Sequence, residues 1–170
     1  MSCKVMKQVD VKILLEDKMQ GRVPEYKTAE AAGADVRIVY NPDKPFGWST
    51  KTTNGEFSAQ YILGPGETKL FNLGFRVEIP CGYELQVRSR SGMAKNGIFV
   101  INSPGTIDSD YRGPCMILLH NATDKMYTMN HGDRVGQFVL KRAPQANFVL
   151  VDAIGETARG EGGFGSTGVK

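Results

Sequence analysis

From Phe71 to Ile79 every second residue is a large apolar one. Phe71, Leu73, Phe75, Val77 and Ile79 alternate with Asn72, Gly74, Arg76, Glu78 and Pro80. A period of two marks a strand with one face in a core and the other outside it. Tyr83, Leu85 and Val87 resume the pattern after a Pro80–Cys81–Gly82 turn, and Val9, Val11 and Ile13 show it near the start. Met116 to Leu119 and Phe148 to Val151 are short apolar runs that suit central strands. Helical periodicity is scarce. One short stretch, Ser91 to Asn96, predicts a turn or two of helix stopped by Gly97. Many short strands punctuated by Gly and Pro predict an all-β barrel or sandwich.

The length of 170 residues fits one domain. A hydrophobic share of 41% supports a core, and a charged share of 23% argues against wholesale disorder. The net charge of +3 is scattered along the chain. A nucleic-acid binder would gather it into a basic stripe, whereas a small anionic substrate asks only for a local cluster. Cys3, Cys81 and Cys115 are an odd, dispersed set, which predicts reduced thiols in a cytoplasmic compartment. With only His120 and His131 beside them, a zinc site built from protein ligands is disfavoured. Neither a signal peptide nor an apolar run of the ~20 residues that a membrane span needs is expected. Two segments fall outside the alternation. Residues 41–60 carry the single tryptophan, Trp48, and predict a surface excursion, a hairpin. Residues 157–170 hold almost no core-forming side chain except Phe164 and predict a mobile arm on a domain spanning 1–156.

Five stretches carry residue types that can do chemistry. In Ala32–Asp35, a glycine precedes an acid at a strand start; it reads as a turn into a strand, or as a carboxylate offered to a metal's hydration shell. Arg88–Gly92 offers guanidinium forks and hydroxyls to phosphate where the short helix begins, or is a pair of surface arginines on a strand end. Asn102–Gly113 resembles a hairpin with a tight turn, followed by acids and a ring. Asp108 could polarise a water and Tyr111 could lie flat on a sugar, while the plainer reading is a loop whose acids cap backbone N–H groups. In Gly132–Gln137 an Asp133–Arg134 ion pair is expected, with Gln137 left open. The last, Arg159–Gly168, is either a Gly-rich tail or a backbone nest around an anion, with Phe164 as a stacking face. No Lys follows in the order a Walker-type loop requires.

Together and in this order, these stretches resemble the five motifs of the homotrimeric dUTP pyrophosphatases (dUTPases), over roughly Val9 to Gly168. The resemblance implies an all-β, jelly-roll-like fold, a homotrimer with active sites shared between subunits, and hydrolysis of dUTP to dUMP and pyrophosphate. That reaction limits uracil in DNA and supplies dUMP for thymidylate synthesis. It implies Mg2+ held by the substrate phosphates, with Asp35 acting through a metal-bound water. By position, Asp108 resembles the general base and Tyr111 the ring beneath the deoxyribose. Asn102, Gly105, Thr106, Ile107 and Met116 resemble the base-reading side of the pocket, with the backbone of 97–106 as a hairpin. Arg90, Ser91, Gly92 and Gln137 resemble the phosphate contacts; Arg159, Gly165, Ser166 and Thr167 the γ-phosphate clamp; and Phe164 the ring that covers uracil.

Three positions depart from the family pattern. Glu161 stands where small or polar residues are frequent and is expected to point outward. Gly136 stands where alanine is usual. Residues 41–60 exceed the compact core, which leaves room for a protein partner. The rival readings are a dCTP deaminase, which the Asp108-to-Tyr111 spacing and the aromatic tail disfavour, and a nucleotide-dependent interaction protein.

Overall fold

Eleven strands and one turn of helix account for the regular structure of the computed structural model, which describes residues 8–16, 21–43 and 47–163. In chain order they are β1 (Lys12–Leu15), β2 (Ala34–Arg37), β3 (Trp48–Thr53), β4 (Glu56–Leu63), β5 (Thr68–Glu78), β6 (Tyr83–Ser89), α1 (Ser91–Ala94), β7 (Ile98–Val100), β8 (Gly105–Ile107), β9 (Pro114–Asn121), β10 (Tyr127–Asn130) and β11 (Arg134–Arg142). They form three antiparallel sheets, ordered β1-β5-β9-β7, β10-β4-β3 and β2-β11-β6-β8.

The alternation in β5 does what a period of two requires. Phe71, Leu73, Phe75 and Val77 are buried, and Ile79 continues the row. They meet Ile117 and Leu119 of β9, Phe138 of β11, and Leu85 and Val87 of β6 in one core. The strand is irregular at one place. Gly74 has φ +78°, and a Cβ there would come within 2.8 Å of Gly21 Cα. Only glycine takes that backbone conformation and that approach together without strain. The pairing with β9 slips between Asn72 and Arg76 as a result.

Two expectations need correction. Val9, Val11 and Ile13 alternate, but the strand they announce begins at Lys12, and Leu14 and Leu15 are exposed. More importantly, Phe148 to Val151 is no central strand. Phe148 is 94% and Leu150 100% exposed, and no strand lies beyond Arg142 among the described residues. An apolar run becomes a strand only where a sheet edge accepts it, and none of the described residues pairs with it.

The expected hairpin forms from Trp48 onward and runs past residue 60 to Leu63. β3 and β4 pair from Trp48↔Tyr61 to Thr53↔Glu56 around an Asn54–Gly55 turn with both φ values positive, the geometry of a two-residue hairpin loop. The description as a surface excursion holds for the far end alone. At the near end Ala59 and Tyr61 are buried, and Trp48, Tyr61 and Phe71 stack edge to face, with Tyr61 and Phe71 centroids 4.9 Å apart. The Tyr61 hydroxyl donates to Glu67 at 2.6 Å, which keeps the hydroxyl satisfied in the core.

Candidate active site

Asp35 is the one buried carboxylate among the described residues, at 4% exposure. β2 delivers it: Asp35 lies opposite Gln137 on β11, and Gln137 lies opposite Arg88 on β6. Its Oδ2 accepts from Arg134 Nη1 at 2.8 Å. Its Oδ1 accepts from Gln137 Nε2 at 3.1 Å and sits 3.3 Å from Arg90 Nε. Burial alone would push this carboxyl up. The hydrogen bonds from Gln137 and Arg134 and the charges of Arg90 and Arg134 outweigh burial, and it stays ionised below the usual aspartate range.

The expected Asp133–Arg134 pair is therefore absent. Arg134 turns to Asp35, and Asp133 Oδ2 accepts from the Asn130 backbone N–H at 2.8 Å and from its side chain at 3.2 Å. Neighbours on a strand point to opposite faces, so a sequential ion pair there has to compete with better-placed partners. The two arginines of the second stretch also part company. Arg88 donates twice to Gln86 Oε1, along its own strand. Arg90 is gripped from two sides, by Asp35 and by the Arg134 carbonyl, which accepts from Nη1 at 3.0 Å.

Ser91 and Gly92 follow at the start of α1 and are exposed. Four residues of helix carry little dipole, so anion binding here rests on side chains and local N–H groups. Gly97, at φ +77°, ends the turn as its sequence position predicts.

The stretch from Gly97 to Thr106 departs from the hairpin expected. Its two arms join different sheets: β7 pairs with β9, and β8 pairs with β6. The turn between them, with a cis Ser103–Pro104 bond, bridges the two sheets. Asn102 leans over Gly105, where a Cβ would meet its Nδ2 at 2.9 Å. Gly105 and Ile107 are buried, and Thr106 between them is exposed. Asp108 follows and is exposed. Tyr111 donates its backbone N–H to the Asp108 carbonyl at 3.2 Å, closing a tight turn, and its hydroxyl donates to the Pro114 carbonyl at 3.2 Å. Met116 is exposed on β9 just beyond.

Asp108 and Arg90 belong to opposite ends of β6. Ile107 faces Leu85, so Asp108 lies one residue past that pair, and Arg90 lies five residues the other way. Six residues of strand at ~3.3 Å each put them roughly 20 Å apart. Within one chain they are too distant to act on the same phosphorus atom. Arg159 sits in an exposed turn, where its Nε donates to the Gly162 carbonyl at 2.8 Å, and Glu161 is exposed as expected. Phe164, Gly165, Ser166 and Thr167 lie outside the described residues.

The dUTPase family model matches residues 56–168. The chain belongs to the dUTPase family. Relatives named deoxyuridine 5'-triphosphate nucleotidohydrolase agree along nearly its whole length. One from Caulobacter vibrioides is 46% identical over 86% of this chain and 86% of its own. One from Fusobacterium nucleatum is 42% identical over 96% and 99%, and one from Chlamydia pneumoniae 47% over 87% and 92%. The fold agrees with solved structures. A variant of the Staphylococcus bacteriophage 80alpha dUTPase, solved with dUpNHpp, superposes with a TM-score of 0.74 at 22% identity, over 95% of this chain and 100% of that one. A variant of the phage phi11 dUTPase, described with a structural Mg(II) ion, gives 0.68 at 19% identity, over 87% and 100%. As a dUTPase-family chain it is a nucleotide hydrolase with an all-β fold.

Two side-chain partners of the candidate residues do not show in the sequence. Arg134 was assigned to its neighbour, because the carboxylate it binds is 99 positions away. Arg76, on β5, reaches the carbonyl of Arg112 at 3.0 Å, and no local pattern announces it.

Proposed function

We propose that this chain hydrolyses dUTP to dUMP and pyrophosphate, with Asp108 as the general base that takes a proton from a water attacking the α-phosphorus in line. The observation that carries the reading is the fixed cationic fork. Arg90 is held by a buried, ionised Asp35 and by a backbone carbonyl, so it meets a phosphate without first having to be ordered. Ser91 and Gly92 supply a hydroxyl and close backbone approach beside it. Gln137, which ties Asp35 into the same cluster, borders the phosphates or the attacking water.

Mg2+ bound to the substrate's phosphates would offset their charge. The donor set fits that role: both Asp35 oxygens are already engaged, and no cluster of His, Cys, Asp or Glu suited to a metal occurs among the described residues. Asp35 would act on the ion through a metal-bound water, not as a direct ligand. On the other side of the substrate, the turn after β7 reads the uracil edge with backbone groups, helped by Asn102 and Thr106. The Tyr111 ring lies against the deoxyribose and leaves no room for a 2′-hydroxyl. Arg159 brings its charge to the γ-phosphate, with Ser166 and Thr167 as further phosphate contacts and Phe164 as the ring facing the base.

The ~20 Å between Asp108 and Arg90 supports a homotrimer in which one subunit supplies Asp108 and Tyr111 while a neighbour supplies the Arg90 cluster. The bare apolar run from Phe148 to Ile154 supports it as well, since assembly is what would cover it. The test is Asp108→Asn, assayed with Mg2+ and dUTP beside dCTP, dTTP and UTP. Unaltered dUTP binding with turnover reduced roughly 10²–10⁴-fold is expected. Near-normal turnover in the variant would remove Asp108 from the mechanism, and release from dCTP matching that from dUTP would refute the base reading.

A further inference from the structure

Strand β5 does not run evenly past β9. Asn72 faces Met116, but Arg76, four residues on, faces Pro114, two residues back. Gly74 is the kinked residue, and its N–H donates to Asn72 Oδ1 at 2.8 Å. A bulge of this kind re-aims the side chains that follow it. Here the re-aimed side chain is Arg76. Its Nη1 donates to the Arg112 carbonyl at 3.0 Å, and its Nε lies 3.2 Å from Glu16 Oε1. Glu16 is itself fixed to the bulge. Its backbone N–H donates to the Gly74 carbonyl at 2.8 Å, and its Oε2 accepts from Asn72 Nδ2 at 3.3 Å.

At the receiving end is the loop from Asp108 to Gly113. Its internal bonds give it shape: Tyr111 N–H to the Asp108 carbonyl, and Arg112 Nη1 to the carbonyls of Ser109 at 2.7 Å and Tyr111 at 2.9 Å. Two bonds tie the loop to the body of the protein: the Tyr111 hydroxyl donates to the Pro114 carbonyl at the start of β9 at 3.2 Å, and Arg76 donates to the Arg112 carbonyl, next to Gly113. Gly113 is where the tyrosine rests: a Cβ there would lie 2.2 Å from the Tyr111 hydroxyl oxygen, so ring and backbone are in direct contact. The Arg112 carbonyl therefore bears on the ring through Gly113, beside the hydroxyl's own bond to the Pro114 carbonyl.

We propose that Arg76 is a positioning residue for this site: clamped by Glu16 on the β5 bulge, it sets the Arg112 carbonyl and thereby the Tyr111 ring, and so governs the preference for deoxyribose over ribose. The inference rests on the reading of Tyr111 and Asp108 given above. Arg76 and Glu16 both lie outside all five motif stretches. Arg is suited to the task because one planar group can serve a carboxylate and a carbonyl at once.

Arg76→Met keeps the aliphatic stem and removes both donors. With Mg2+ present, kcat and KM are measured for dUTP and for UTP. The expected result is a fall of about three- to tenfold in the dUTP-over-UTP ratio of kcat/KM, the size of losing one or two half-exposed hydrogen bonds. Most of it should appear as a raised KM for dUTP. Glu16→Gln should move the ratio the same way by less, and it carries the test if Arg76→Met does not fold. Lys12→Ala, which breaks the exposed Lys12–Glu78 ion pair on the same β1–β5 ladder, should leave the ratio unchanged. An unchanged ratio in Arg76→Met, or an equal fall for both nucleotides, overturns the proposal. Asp108→Asn, run in parallel, separates the two failures. If it is inactive while the ratio stays fixed, the positioning role alone is wrong; if it is active, the underlying site reading is wrong and the positioning role falls with it.

Discussion

Replacing Asp35 with asparagine preserves the shape of the side chain and removes its charge. In the native protein one oxygen meets Arg134 at 2.8 Å, and the other meets Gln137 at 3.1 Å and Arg90 at 3.3 Å. An asparagine has a single acceptor, so whichever way its amide turns, an N–H faces a donor. Breaking a buried ion pair costs about 3–5 kcal/mol. The arginine side chains here are 25% and 38% exposed and can recover part of their hydration. Halving the figure gives about 2 kcal/mol, which for a chain of this size lowers Tm by roughly 4–8 °C. The effect should depend on pH in a defined direction. Asp35 has a depressed folded pKa, so its contribution is complete above the ordinary aspartate value of ~3.9 and is lost as pH falls through the folded value. The Tm gap between wild type and Asp35→Asn should be full at pH 7 and shrink in acid below about pH 4. Differential scanning calorimetry at fixed protein concentration measures it. A gap under about 1 °C at pH 7, or one that persists undiminished in acid, would refute the account of this cluster.

Three further outcomes follow from other parts of the structure. Gly136→Ala places a Cβ 2.4 Å from Ile117 Cδ1 in the packed core and should cost about 1–3 kcal/mol; adding Ile117→Val should restore most of it, as denaturant titration of single and double variants would show. His131 accepts the Tyr40 backbone N–H on Nδ1 at 3.0 Å, and burial, helped by the charge of Arg22, lowers its pKa. The unfolded state then binds the extra proton first, so stability should fall as pH drops through ~6.5, and His131→Asn should flatten that step in a Tm-against-pH series. Phe148→Ser with Leu150→Ser should leave the fold intact, because both side chains are bare in the single chain, yet weaken assembly, read as a concentration-dependent shift in sedimentation velocity.

How legible this molecule was in its sequence depended on how local each determinant is. The row from Phe71 to Ile79 announced β5 because its pattern alone fixes which face is buried. The break in the alternation over residues 41–60 announced an excursion, and the Asn54–Gly55 pair that turns it is a local signal because few residue pairs accept two positive φ values. Gly97 announced the end of α1 on the same ground. Where the outcome turned on a partner far along the chain, local reading failed. Arg134 looked like the mate of Asp133 until β2 brought Asp35 alongside. Phe148 to Val151 reads as a core strand because apolar content does not say which partner, if any, a segment packs against. The stretch at 97–106 looked like a hairpin because a turn between two short strands does not disclose that the strands join different sheets. The site residues followed the same rule. Arg90 and Asp108 were picked out by chemistry, but the span of β6 between them is a property of register, and no motif records it.

The β3–β4 hairpin has a practical consequence for anyone handling this protein. Its inner end is cemented by Trp48, Ala59 and Tyr61, whereas every described residue from Ser49 to Ser58 is exposed, and a Cβ added at Gly55 in the turn would meet open space. Lengthening such an arm adds rungs to an existing ladder without shifting the ones below. A peptide tag, a reactive handle for a fluorophore or a surface-anchoring sequence can therefore be grafted between Asn54 and Gly55, while both termini and the C-terminal arm stay unencumbered.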